Sequence, residues 1–144
     1  MVTDLDVTIA ERLAAAGQRY TFNRQSLVHV LCDAGKPLAL TEVLTADPSL
    51  AQSSAYRNLV VLEEAGIVER VTATDEFARY ELAEDLTGHH HHLLCSGCGA
   101  VDDFTLPARV EQTMEAALKT ASRKSGFQPS HHRLDLVGLC TNCA

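Results

Sequence analysis

Apolar positions recur every three or four residues through the first half of the chain, then switch to strand-like alternation. In "DLDVTIAERLAAA", Leu5, Ile9 and Leu13 are spaced by four, which predicts a helix over 4–16 stopped by Gly17. "TFNRQSLVHVLCDAG" predicts a second helix from Arg24 to Asp33, capped by Asn23, with Leu27, Val30 and Leu31 inward and Gly35 at its end. "LTEVLTAD" predicts a short third helix beginning after Thr41. "QSSAYRNLVVLEEAG" predicts a fourth, with Tyr56, Leu59, Val60 and Glu63 at helical spacing and Gly66 closing it. The period then shortens. Ile67, Val68 and Val71, then Phe77, Tyr80 and Leu82, flank the polar "TATDE" and predict a β-hairpin. Helices followed by a hairpin form the order of a winged helix-turn-helix.

Beyond "AEDLTG", a polar stretch suited to a hinge, the order changes again. "HHLLC" and "GAVDDF" precede a helix expected from about Pro107 to Lys124, with Leu106 packing beneath it. "HHRLDLVGLC" alternates like a strand. The expected fold class is α+β: an N-terminal winged helix-turn-helix domain over residues 1–83, a hinge at 84–88, and a C-terminal α/β unit over 89–144.

Composition sets the limits. The chain has 144 residues, 46% of them hydrophobic, with no apolar run long enough to span a bilayer. The start, "MVTDLDVTIAERLAAAG", lacks a basic region ahead of an apolar stretch, so it predicts a cytoplasmic protein with no membrane partner. The formal charge is −7, and residues 1–83 hold 7 Lys+Arg against 12 Asp+Glu. Such a balance argues against binding nucleic acid unless something offsets it.

The chemistry-bearing residues lie in two places. Cys95-x2-Cys98 and Cys140-x2-Cys143 are matched pairs whose four thiolates suit a tetrahedral Zn2+ site. In a reducing compartment such pairs signal metal or redox chemistry more often than disulfides. The fifth cysteine, Cys32, stands alone in a helix and is expected to be a small core residue. The run "HHHH" at 89–92 is the other signal. On a strand, His90 and His92 face one way and His89 and His91 the other, which predicts two metal sites back to back. Glu69, Glu81 and Asp103 are candidate further ligands on the first face, Glu111 and the distant His132 on the second. Ser53, Ser54, Tyr56 and Arg57 lie in the first half of the expected recognition helix, where base edges and phosphates are met.

These features together resemble the ferric uptake regulator family of bacterial metal-dependent repressors. "GQRYTFNRQSLVHVL", "SSAYRNLVVLEEAGIV", "HHHHLLCSGCGAVDDF" and "GLCTNC" carry the resemblance, which covers nearly the whole chain. It implies a homodimer that binds palindromic double-stranded DNA operators when a regulatory metal is loaded. It also implies three metal positions: structural zinc on the four cysteines, a sensing site on His90, His92, Glu81 and Asp103, and an accessory site on His89, His91, Glu111 and His132. Arg12, Arg19, Arg24, Arg57 and Arg70 are then the expected DNA-facing cations, and bound divalent ions offset the acidic balance. Two departures bear on the metal. "GKPLALTE" has Pro37 where iron- and peroxide-sensing members often place a His, and the hinge lacks the Cys usual in actinobacterial zinc sensors, while Glu69 stands where those sensors place an Asp. A sensing shell of nitrogen and oxygen alone suits Fe2+ or Zn2+, and Mn2+ as well.

Two other classes fit the sequence less well. A metal-dependent enzyme would need a nucleophile–base arrangement, which the sequence does not offer, and no small organic substrate is expected. A metal-storage protein or metallochaperone would bind metal without retaining an operator.

Overall fold

The computed structural model describes residues 3–144, so the first two positions of the expected 1–83 unit lie outside it. Six helices and six strands follow in order: α1 (Asp4–Ala15), α2 (Phe22–Ala34), β1 (Leu38–Ala39), α3 (Leu40–Ala46), α4 (Gln52–Glu64), β2 (Val68–Thr72), β3 (Ala78–Leu82), α5 (Glu84–Thr87), β4 (His91–Cys95), β5 (Val101–Phe104), α6 (Ala108–Arg123) and β6 (Asp135–Gly138). The strands form two sheets, one ordered β1-β3-β2 and antiparallel, the other ordered β5-β4-β6, in which β4 and β6 run parallel.

The first half is a helix-turn-helix with a wing. Ile9 and Leu13 of α1, Leu27, Val28 and Leu31 of α2, Val43 of α3, and Leu59 and Leu62 of α4 close over the hairpin through Val68, Tyr80 and Leu82. Thr21, not Asn23, caps α2, and Val28 is buried while Val30 is only half-buried. The inner face of α4 is Ala55, Leu59 and Leu62. Tyr56 points outward and is 48% exposed, because an alanine at 55 already fills the contact with the core. Phe77 lies in the hairpin turn and is also exposed. Cys32 corrects the expectation of a core residue: it sits on the outer face of α2 and is exposed.

A buried carboxylate fastens α1 to α2 and to the loop between them. Asp6 is 2% exposed and receives hydrogen bonds from the Tyr20 hydroxyl at 2.6 Å and from the Thr3 amide and hydroxyl at 3.1 and 3.0 Å. His29 Nε2 of α2 stands 3.0 Å away. Thr3 and Asp6 together make the capping box of α1. Burial pushes this carboxyl up, but the bonds from Tyr20, Thr3 and His29 outweigh it and hold the pKa well below the usual carboxylate range.

The two halves touch at several points. Thr74, at the wing tip, donates its hydroxyl to the Cys95 carbonyl at 2.5 Å. Val71 of β2 packs on Leu94 and Val101 of the second sheet. Asp75, paired with the buried Arg79, lies where a Cβ on Gly99 would stand, 2.1 Å from its Oδ2, so only glycine at φ +78° fits there. The expected hinge is more ordered than its polarity suggests. Arg12 pairs with Asp85 of α5 and donates to the Gly66 carbonyl at 3.0 Å, and Leu86 packs on the first core. The chain turns after α5 at Gly88, whose φ of 112° and ψ of 157° suit glycine alone.

Asp6→Ala removes a buried acceptor shared by Tyr20, Thr3 and His29 and is expected to cost about 1–3 kcal/mol in urea unfolding at neutral pH. Because the folded pKa is depressed, this contribution is full above the unfolded value of about 4 and is lost as pH falls through the folded value. A loss under about 0.5 kcal/mol, the size of an ordinary surface change, would show that Asp6 is not a fastening point.

Candidate metal centres

Three groups of ligating side chains converge in the second half, and in each group the candidate atoms lie within 4.8 Å of one another. Cys95 and Cys98 come from the end of β4 and the turn after it. Cys140 and Cys143 come from the turn after β6. The parallel pairing of β4 with β6, which sets Cys95 opposite Gly138, brings the two turns together. Cys98 and Cys140 sulfurs are 3.8 Å apart. That is far beyond a disulfide, and it matches the separation of about 3.8 Å expected of thiolates held tetrahedrally at about 2.3 Å from zinc. Amides of Cys140 and Cys98 donate to Cys95 Sγ at 3.4 and 3.5 Å and hold that thiol down at about 6. Cys143, hydrogen-bonded by the other three sulfurs, is pushed up to about 12. A group in which one thiolate forms readily and another is strongly opposed is the electrostatic state that a divalent cation relieves.

The histidine run divides two and two as alternation predicts, although β4 begins only at His91 and His89 and His90 lie just ahead of it. Glu81 of β3, only 6% exposed, reaches across from the wing. Its two oxygens meet His90 Nε2 and His92 Nε2, each at 2.9 Å. Asp103, opposite His92 in the β4–β5 pairing, completes the group, 3.7 Å from His90 and 3.5 Å from His92. Burial opposes charge on both rings. The Gly88 carbonyl and the carboxylates of Glu81 and Asp103 outweigh it at His90, and Glu81 with Asp103 does so at His92, so both pKa values are raised. Burial and Glu81 push Asp103 up. A metal entering here displaces protons.

On the opposite face, His91 is 1% exposed and pairs with Glu111 of α6. His89 Nε2 lies 3.2 Å and His132 Nε2 3.5 Å from the same carboxylate. Burial raises the Glu111 pKa, but His91, His89 and His132 outweigh it and lower it. Asp103 Oδ1 and His132 Nε2 are buried without a hydrogen bond. Each therefore has a free lone pair, or a nitrogen free to present one, directed into its cluster, and both groups fit a metal ion.

Glu69 is the one expected ligand that stays outside. It is exposed and pairs with Glu81 across the hairpin, where burial and then Glu81 raise its pKa. The expected DNA-facing cations also sort unevenly. Arg19 and Arg57 are exposed without an ion pair among the described residues. Arg24 reaches Asn58 Oδ1 at 3.0 Å and so braces α4, and Asn58 donates to Ser54 at 3.3 Å. Arg12 and Arg70 are engaged with Asp85 and Glu63.

A winged helix-turn-helix joined to a sheet that carries three clusters of metal ligands defines a metal-responsive transcriptional regulator. Residues 15–137 match the model of the ferric uptake regulator family, and the chain belongs to that family. It is 28% identical over 138 residues to the peroxide operon regulator of Bacillus subtilis (strain 168), covering 93% of this chain and 90% of that protein. The Helicobacter pylori ferric uptake regulator, a structure described as revealing three functional metal binding sites, superposes with a TM-score of 0.72 at 26% identity, covering 99% of this chain and 95% of that one. The ferric uptake regulator of Pseudomonas aeruginosa with manganese superposes at 0.68 with 26% identity, covering 91% and 96%.

Cys95→Ser and Cys140→Ser should each remove one tightly held metal ion and loosen the β4–β6 junction, since metal-binding energy at such a site is folding energy. Metal analysis with size-exclusion chromatography checks this. Unchanged metal content with an unchanged elution profile would remove the four cysteines from the metal inventory.

Proposed function

We propose that the chain is a cytoplasmic homodimer that represses metal-homeostasis genes by binding palindromic operators when its sensing site is loaded. Residues 1–83 would bind DNA, 84–88 would form the joint, and 89–144 would hold metal and dimerise. The observation that carries this is Glu81: a carboxylate on the wing of the DNA-binding half grips two histidines of the other half. An ion held by Glu81, His90, His92 and Asp103 spans the two halves and so acts on the placement of the recognition helix. It is an effector because it binds this arrangement better than one in which Glu81 has moved away.

The four cysteines would hold structural zinc. The sensing shell of two imidazoles and two carboxylates suits Fe2+, Zn2+ or Mn2+. His89, His91, Glu111 and His132 form the accessory site. Ser53, Ser54, Tyr56 and Arg57 on α4, with Arg19 and Arg24 beside it, form the DNA-facing set. Dimerisation is supported by apolar side chains that the single chain leaves open: Val110 and Leu118 on α6, and Leu136 and Val137 on opposite faces of the edge strand β6, are 43–63% exposed. The second copy would cover them and would set the spacing of two recognition helices to two half-sites. Membership of a family of transcription regulators supports the cytoplasm as the place of action, and no helix among the described residues is long and apolar enough to cross a membrane.

Operator binding titrated with zinc, iron and manganese under anaerobic conditions tests the proposal and names the metal. Metal uptake with no operator retention would favour storage or metal delivery instead. His90→Ala or His92→Ala should abolish metal-dependent operator binding, His89→Ala or His91→Ala should only weaken it, and the cysteine-bound zinc should persist in all four. A larger loss from His89 and His91 would reverse the two sites.

Arg57→Ala removes an exposed cation from the recognition helix and should weaken operator binding by about 1–3 kcal/mol, with metal content and dimerisation intact. Unchanged affinity in a fluorescence-anisotropy titration would place DNA on another surface.

A further inference from the structure

All four histidines of the run present Nε2 to a ligand cluster, which leaves each Nδ1 facing elsewhere. His90 Nδ1 stands 2.9 Å from the Gly88 carbonyl. His92 Nδ1 faces Asp135 of β6 at 3.7 Å. His91 Nδ1 is buried with no hydrogen-bond partner. His89 Nδ1 is the one of the four within hydrogen-bond reach of a carboxylate, that of Glu84.

Glu84 belongs to none of the three ligand groups. It is the first residue of α5, and α5 is rooted in the DNA-binding half. Arg12 of α1 grips the neighbouring Asp85, Leu86 packs on the winged-helix core, and the Ala83 amide donates to the Ile67 carbonyl at 2.8 Å. The chain bends between α5 and the histidines at Gly88, and His89 is the next residue. One imidazole thus touches Glu111 of α6 with one nitrogen and an element of the other half with the other.

We infer that Glu84 is a positioning residue for the accessory site, and that through it a metal at that site acts on the DNA-binding half. The inference rests on reading His89, His91, Glu111 and His132 as a metal site. A neutral imidazole that ligates through Nε2 carries its proton on Nδ1. A carboxylate accepting that proton selects the tautomer, fixes the ring and makes Nε2 a better donor. Here the accepting carboxylate is not part of the dimerisation half. The ring orientation that suits the metal is therefore one in which α5 stands against the start of β4. Metal binding favours that placement, and by linkage the placement favours metal. The accessory site thereby acquires a route to the recognition helix that its direct ligands, all from the second half, do not provide.

The test uses the full chain in a His90→Ala, His92→Ala background, which leaves a single histidine site, and titrates Co(II) by its visible d–d absorption. Glu84→Ala should lower Co(II) affinity at that site by about 10- to 100-fold. Glu84→Gln, which keeps an oxygen acceptor at the same reach, should recover most of it. In a His89→Ala, His91→Ala background, Glu84→Ala should leave Co(II) affinity at the sensing site unchanged, and zinc on the cysteines should be constant throughout. Metal at the accessory site should also slow amide exchange over residues 84–88 when Glu84 is present and not when it is alanine. Unchanged accessory-site affinity in Glu84→Ala, or an equal loss at both sites, would overturn the inference. If the background with Glu84 intact takes up no Co(II) at its histidine site, the accessory site itself falls, and the inference with it.

Discussion

Side chains along an extended strand alternate between its faces, and the four histidines divide two and two, His91 and His92 in β4 and His89 and His90 just ahead of it. Everything specific to the second half is arranged around that constraint. The wing strand β3 approaches one face and offers Glu81, while β5 adds Asp103 beside it. Helix α6 approaches the other with Glu111, and the segment before β6 adds His132. Neither cluster could be moved to the other face without shifting the register of β4. That register is locked at the far end of the strand, where the pairing of Cys95 with Gly138 brings the four sulfurs together.

The acidic balance has a local cause and a local consequence. Glu69, Glu81, Glu84 and Asp85 crowd the wing and α5, and the raised pKa of Glu69 comes from burial and from Glu81, Glu84 and Asp85 around it. Much of the positive charge in the first half is engaged within the chain: Arg12 with Asp85, Arg70 with Glu63, Arg79 with Asp75, and Lys36 with Asp102 of β5 at 4.0 Å. The exposed pairs among these contribute little stability. Their consequence is that few cations remain for a phosphate backbone, Arg19 and Arg57 among them. Positive charge that a divalent ion adds at a carboxylate–imidazole cluster, net of the protons it displaces, therefore matters more here than it would on a basic DNA-binding protein.

The element order was legible because helical and strand periods alternate cleanly, and the metal residues were legible because Cys-x2-Cys and a histidine run have few other uses. Glu111 and His132 lie 20 and 41 residues from His91 in sequence and stand beside it in one cluster, a grouping that the family resemblance implied and that alternation alone could not single out. What escaped depends on competition between neighbours. Val30 has the spacing of a core residue, yet Val28 takes the buried position on α2. Cys32 is apolar enough for a core but lies outside the Leu27, Val28 and Leu31 stripe of α2. β1 is two residues long and exists only because β3 has an open edge beside it. Glu84 sits in a segment whose polarity suggested a free hinge, and no local pattern reveals that Arg12, 73 residues away from Asp85, holds that segment down.

The contacts between the halves divide by physical kind. At the wing tip, Val71 against Leu94 and Val101, with Thr74 on the Cys95 carbonyl, is a contact of apolar area and a neutral hydrogen bond. Beside it stands one charged pair, Asp75 with Arg79, against Gly99. At Glu81 and Glu84, carboxylates face imidazoles. Those contacts depend on protonation when no metal is present, and on the ion when one is. The wing-tip contact thus stands apart from the histidine clusters, whereas the contacts at Glu81 and Glu84 are part of them or touch them. Gly88 lies between α5 and the histidines with a φ of 112° that favours glycine. Under the proposed function, the contacts at the histidine faces are the ones through which a bound ion would act on the spacing and orientation of two recognition helices, the quantities that two half-sites read.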